Sequence, residues 1–348
     1  MDVESRLGLI SRNTLEIVTN EELRTLLETN PKPRAYIGFE PSGFFHTGQM
    51  VCAAKILDMQ EAGVEVTIFL ADWHAMINDK LGGKLENIRA CGEYMRECFI
   101  ALGVREDSAK FVWASDLIDS AEYWEKFIRV CKASSLQRIK RAMTIMGRTE
   151  DEAEIDASKV MYPPMQVADI FHLDVDIAYA GMDQRRAHML ARDAAEKLGW
   201  KKPIALHTPL LMSLVGSGRM DPVEAKMSKS DPNSAIFIHD PPEDIAKKLK
   251  GAFCPAEAEG NPVMELLRLI VFPRHGQLTI DRPAKYGGPV SFASFEELLA
   301  AYGAGKLHPQ DLKKGAADSM STILGPVRDH FEKHPQNLDR VRQLTITR

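Results

Sequence analysis

Five consecutive residues, Lys226-Met227-Ser228-Lys229-Ser230, place two ammonium groups and two hydroxyls in a stretch with neither helical nor strand periodicity. Such a dense set of cationic and rotatable donors suits a polyphosphate, although most Lys/Ser pentamers are solvated loops. Gly216-Ser217-Gly218 precedes it, so 216–235 reads as a mobile loop. A second segment, Pro41-Ser42-Gly43-Phe44-Phe45-His46-Thr47-Gly48-Gln49, separates an apolar run from a helical pattern. Unpaired N–H groups at a helix start favour anions, glycines let a phosphate approach the backbone, and His46 adds a donor. Alone, an H-x-G triplet is as often a capped turn as a site.

Three further groups could carry chemistry. Tyr162, Gln166 and Asp169 stand at i, i+4 and i+7, one helix face, with Pro163-Pro164 read as a first turn. Apolar Met165, Val167 and Ile170 take other faces, so the polar stripe should line a cavity rather than meet solvent. Ser134 to Arg148 reads as a basic helix, with Arg138, Lys140, Arg141 and Arg148 outside and Leu136, Ile139, Met143 and Ile145 inside. Such a run is usually a solvated face, and it also suits RNA phosphates. Tyr286 before Gly287-Gly288, and His308-Pro309-Gln310-Asp311, offer an aromatic that can stack on a base and a carboxylate that can accept from guanine. A lone Tyr or a helix-capping Asp is ordinarily structural. His172, His188, His207, His239 and His275 are isolated and read as structural, and His330 with His334 as a helix end. No metal site is expected.

The elements that must hold these residues alternate. Strands are expected at 35–39, 64–70, 111–113, 175–180 and 204–207, with helices over 47–62 and 85–102. Parallel neighbours need long crossovers, so the pattern implies an α/β, Rossmann-like doubly wound parallel sheet whose ligands sit beyond the strand C-termini. Leu7 to Leu27 reads as two short helices. After residue 235 the texture becomes mostly helical, over 240–249, 264–271, 295–302 and 308–333, the last broken at Gly325-Pro326, with a β piece near 278–280 and 290–292. Two domains, 1–235 and 236–348, are expected.

A net charge of −5 over 348 residues argues against a general coat for nucleic acid, leaving a local basic surface. Five scattered cysteines with no C-x-x-C pair argue against a disulfide scaffold or a thiolate metal site and suit a reducing cytoplasm. The acidic first thirty residues do not resemble a secretory signal, and no apolar stretch approaches the roughly 18 residues of a membrane span.

Together, His46-Thr47-Gly48-Gln49 and Lys226–Ser230 resemble the HIGH and KMSKS signatures of class I aminoacyl-tRNA synthetases, in order and in separation. Within that class the chain is similar to tyrosyl-tRNA synthetases of the archaeal type. The similarity runs through Tyr36–Gly43, Ala71-Asp72-Trp73-His74-Ala75, Tyr162–Ile170, Gly181-Met182-Asp183-Gln184-Arg185 and Leu307–Leu312. One departure is Gln49, where HIGH ends in histidine; an amide donates a hydrogen bond but carries no imidazolium charge.

The resemblance implies roles. Tyr36 and Asp169 would hold the phenol of tyrosine, Tyr162, Gln166 and Gln184 its ammonium group, and His74 would line the pocket. Ser42, Gly43, His46, Gly48, Gly181, Asp183, Lys226, Ser228 and Lys229 would bind ATP, with His46, Gln49, Lys226 and Lys229 catalytic and Asp183 on the ribose. Arg141 and Arg185 would meet the first base pair of tRNA, and Tyr286, His308 and Asp311 its anticodon, Asp311 reading the first base. Magnesium would arrive with ATP, and a cytoplasmic homodimer is the family expectation. Competing readings are a tryptophanyl-tRNA synthetase, a pantothenate-synthetase-like ligase, and a paralogue that binds structured RNA without charging it. Tyr36 with Asp169 favours a phenol over an indole.

Overall fold

The computed structural model describes residues 1–147, 156–216 and 233–344. It divides into two compact units, one of Met1–Gly43, Lys55–Leu210 and Arg340–Arg348, the other of Phe44–Ala54 and Leu211–Asp339.

The first unit is a six-stranded sheet of β1 (Glu16–Val18), β2 (Arg34–Phe39), β3 (Glu65–Leu70), β4 (Ala109–Trp113), β5 (Ile177–Gly181) and β6 (Ile204–Thr208). The spatial order is β1-β6-β5-β2-β3-β4, parallel throughout except for β1, which runs antiparallel to β6. Five strands are parallel because long helical crossovers return the chain. One of them, Leu85–Ala101, buries Ile88, Cys91, Met95 and Phe99 without exposure, each worth about 1.5–3 kcal/mol for the larger side chains. The expectation of two helices across Leu7–Leu27 omits β1: the helices are Val3–Ser11 and Asn20–Thr29, and three residues between them pair with β6. Three edge residues give too short an alternation to read in sequence. The second helix does open as its residues suggest, with Thr19 and Glu22 forming a reciprocal capping box.

Chain order reverses between β2 and β5, which share only the pairs Ala35↔Ile177 and Tyr36↔Ala178 before separating. A doubly wound sheet opens a crevice at such a switch point, beyond the strand C-termini. Backbone enters it closely on both sides. A Cβ on Gly38 would lie 2.7 Å from the Tyr36 hydroxyl, and one on Gly181 would lie 2.8 Å from Asp183 Oδ1.

Two helix readings change. Ala157–His172 starts at an Asp156 N-cap, so Pro163 and Pro164 lie inside it rather than in its first turn. Burial of both prolines with Met165, Val167 and Ala168 outweighs the lost N–H groups. The basic run is a helix only over Leu136–Ala142, capped by Ser135 and followed by a tighter turn at Met143–Met146; Arg148 lies outside the described residues.

In the second unit the start of helix Thr47–Glu61 is fixed to 236–238: His46 bridges Phe237, Thr47 N–H donates to Ile236 O at 2.9 Å, and Ile238 N–H to Phe45 O at 3.1 Å. Phe44, Phe237 and His239 cluster there. The C-terminal residues are mostly helical, with a hairpin of β7 (Leu278–Ile280) and β8 (Val290–Phe292). Pro309–Lys333 is one continuous helix, not broken at Gly325-Pro326; buried Leu324 and Val327 on either side hold Pro326 within it.

Candidate active site

Helix Ala157–His172 delivers Asp169 to the crevice with 1% of its surface exposed. Oδ1 accepts a hydrogen bond from Tyr123 at 2.9 Å, and Oδ2 lies 3.2 Å from His74 Nε2 in an ion-pair contact that lacks hydrogen-bond alignment. His74 stands edge-on to Tyr162, ring centroids 4.9 Å apart, and to Phe69, which packs on Tyr36. Burial pulls the imidazole toward the neutral form, but the charge and hydrogen-bonding capacity of Asp169, with Glu40 and Asp72, outweigh it, so the His74 pKa is raised. Burial and then the Asp169 charge raise the Tyr36 phenol, and burial and Glu40 raise Tyr162. Phenols here stay protonated and able to donate.

One step along the crevice, Tyr162 donates to Glu40 Oε1 at 2.7 Å, and Asn78 Nδ2 donates to both Glu40 oxygens at 3.0 and 3.2 Å. Gln166 Nε2 donates to Gln184 Oε1 at 3.4 Å, while Gln184 Nε2 is held by Ile145 O at 2.9 Å. The pocket residues singled out in the sequence therefore fall into two sets joined by helix Ala157–His172: Tyr36, His74, Tyr162 and Asp169 in one, Gln166 and Gln184 in the other. Two of their acceptors, Asp169 Oδ2 and Gln166 Oε1, are buried without a hydrogen-bond donor among the described residues. Leaving such an atom unpaired costs about 1–3 kcal/mol, so each is an acceptor open to a donor from outside the chain.

Sequence reasoning passes over Tyr123, Glu40, Asn78 and Asp72. Glu40 belongs to the Tyr36–Gly43 stretch, where a carboxylate directly after a strand is its one local signal. Tyr123 carried no signal, since its helix Ala121–Ala133 shows an ordinary amphipathic pattern.

After β5, Asp183 occupies a short turn and accepts from Gln184 Nε2 at 3.3 Å. Ser42 donates to Glu40 O at 3.1 Å, and Gly43, with φ 129, occupies backbone space that favours glycine.

In the second unit, His46 Nδ1 accepts from Gly48 N–H at 3.1 Å, which leaves the ring proton on Nε2. Gln49 Oε1 accepts from His46 N–H at 3.0 Å, a reach back across the first turn that caps the helix. Lys226, Ser228 and Lys229 lie outside the described residues.

The RNA candidates fall in two places. In the first unit Arg141 is exposed, Arg186 Nη1 donates to Arg141 O at 2.7 Å, and Arg185 is bound to Glu16. In the second unit Tyr286 is 60% exposed on a turn beneath the Lys285 ammonium. Arg282 joins that turn to helix Pro309–Lys333: its Nε donates to Gly288 O at 2.7 Å and its Nη1 is 4.0 Å from Asp311 Oδ2. His308 caps that helix, Nδ1 accepting from Gln310 N–H at 3.1 Å. Arg282 was not anticipated.

A buried phenol-and-carboxylate pocket lies at the switch point of a parallel sheet, and residues 28–325 match the family model of class I tRNA synthetases (W and Y). The chain belongs to this family. The tyrosine–tRNA ligase of Aeropyrum pernix is 51% identical over 339 residues, covering 94% of this chain and 93% of its own. That of Saccharolobus islandicus is 49% identical over 356 residues, covering 99% of each. A solved tyrosyl-tRNA synthetase from A. pernix superposes with a TM-score of 0.89 at 45% identity, 99% of each chain covered. One from Pyrococcus horikoshii complexed with L-tyrosine gives 0.92 at 42%, covering 99% of this chain and 100% of its own. Within the family the chain is thus of the archaeal tyrosyl type, a class of ligase whose reaction uses ATP. Among the described residues no helix is long and apolar enough to cross a membrane.

Proposed function

We propose that the crevice of the first unit selects L-tyrosine and that the chain activates it with MgATP and passes it to tRNA(Tyr). The observation that carries the reading is the buried Asp169 carboxylate with one oxygen held by Tyr123 and the other without a donor. A substrate phenol supplies that donor, with the Tyr36 hydroxyl as second partner, and phenylalanine leaves the acceptor unpaired. Tyr162, Gln166 and Gln184 take the ammonium group, and the Glu40 carboxylate, bonded to Tyr162, strengthens that end.

Activation follows from alignment. A tyrosine carboxylate oxygen attacks the α-phosphorus, the bond to the bridging oxygen breaks, and pyrophosphate leaves with its magnesium. The terminal ribose hydroxyl of tRNA then attacks the adenylate carbonyl and AMP departs. The carboxylate is already a nucleophile, so protein groups serve by positioning and by offsetting charge on the phosphorus. His46 Nε2–H and the helix start serve one side, Ser42, Gly43, Gly48, Gly181 and Asp183 hold the nucleotide, and Lys226, Ser228 and Lys229 close over the pyrophosphate. Lys229 is seven residues from Ile236, whose carbonyl binds Thr47, a tether of at most about 25 Å. Gln49 acts through the cap it gives His46.

Arg141 and Arg185 meet the acceptor stem, while Tyr286, His308 and Asp311 meet the anticodon from the 236–348 domain; Arg282 orients Asp311. The enzyme works as a cytoplasmic homodimer. Pyrophosphate exchange with each amino acid tests the central reading: exchange should depend on tyrosine, and exchange driven equally by tryptophan or phenylalanine would refute it.

A further inference from the structure

Antiparallel register opposes Glu16 on β1 with His207 on β6, and their side chains meet, His207 Nδ1 lying 3.0 Å from Glu16 Oε2. Behind His207, its Nε2 is 3.0 Å from Nδ1 of His188, the rings stacked at 5.0 Å and 26°. In front, Glu16 accepts from Arg185 Nε at 2.8 and 3.0 Å and from Nη2 at 2.9 Å. The adenylate chemistry proposed above uses none of these four side chains.

Proton placement along the chain is determined. A carboxylate only accepts, so Nδ1 of His207 carries a proton. Both rings are 0% exposed, and burial disfavours a second proton on either. His207 Nε2 must then accept and His188 Nδ1 must donate, which leaves His188 Nε2 as a bare acceptor, and it is buried without a partner. Every proton therefore points toward Glu16. The carboxylate is fixed from one side by His207 and clamps the Nε edge of Arg185 on the other.

We infer that His188 and His207 are positioning residues for Glu16, and Glu16 for Arg185, so that the guanidinium meets RNA with one edge clamped and its Nη1 edge presented. Arg185 is 44% exposed at the side chain, and Nη1 has no partner among the described residues. A free arginine gives up rotamer freedom on binding; a clamped one has lost it already, and its fork faces a fixed direction. The inference rests on Arg185 contacting tRNA.

The test uses the full-length enzyme. Glu16→Gln should raise KM for tRNA(Tyr) in charging about tenfold, with kcat and tyrosine-dependent pyrophosphate exchange unchanged. The loss should vanish in an Arg185→Ala background, since the two residues act as one unit. His207→Asn should reproduce the Glu16→Gln phenotype. If Arg185→Ala weakens charging while Glu16→Gln does not, the positioning chain is wrong; if exchange falls as much as charging, Glu16 serves the fold and the inference also fails. Unimpaired charging by Arg185→Ala would instead remove the RNA contact on which it rests.

Discussion

His74 and His188 are equally buried, 2% and 0% exposed, in the same unit, yet their proton affinities move in opposite directions. His74 lies 3.2 Å from a buried carboxylate and is raised. His188 faces another imidazole and is pushed down to about 3, by burial first and His207 second. Burial sets how strongly a neighbour acts; the neighbour's charge sets the sign. The phenol pocket thus gathers charge around a ligand, while the histidine pair stays neutral and can hold hydrogen-bond direction.

Removing the carboxylate should break the contrast most. Asp169→Asn removes the strongest charge beside His74 and leaves only Glu40 and Asp72 against burial, so its pKa, followed by NMR of the ring, should fall from its raised position. Selection of tyrosine over phenylalanine in pyrophosphate exchange should drop about a hundredfold, the cost of a mispaired buried site. Unchanged selectivity would exclude Asp169 from the phenol site. Tyr123→Phe is the milder version: with one donor to Asp169 removed, the same ratio should fall about tenfold. A loss confined to thermal stability would assign Tyr123 to the core alone.

The neutral pair should show in acid. His188 binds a proton more readily unfolded than folded, so it costs stability as pH falls from about 6.5 toward 3. His188→Asn keeps a donor toward His207 and removes the titration, so the acid-unfolding midpoint should move down by about half a pH unit. An upward or absent shift would contradict the assignment. His74 has the reverse sign: protonation stabilises the fold fully below about 6.5, and this is lost as pH rises through its raised folded pKa. The Tm advantage over His74→Gln should shrink by about 2 °C across that rise; an advantage that grows with pH would reverse the reading.

The strands β2 to β6 and the helices Thr47–Glu61 and Leu85–Ala101 were legible because local periodicity marks a buried face. Tyr162, Gln166 and Asp169 were legible as a face for the same reason, since their spacing is set by one helix. Position within that helix was misjudged: Pro163-Pro164 suggest a beginning by local rules, and tertiary burial keeps them in the middle. Strand β1 escaped notice because three residues show no pattern, and the continuity of Pro309–Lys333 because packing outweighs one proline.

Residue order by itself determined the alternating architecture, the family signatures at 46–49 and 226–230, and the polar stripe of 162–169. Each is a short-range property, fixed by spacing along one element. Only the tertiary structure decided that Tyr123 rather than solvent would face Asp169, 46 positions away, and that Glu16 would reach Arg185 across 169. Pairings at that separation depend on which elements the sheet order brings together, and no local spacing encodes them.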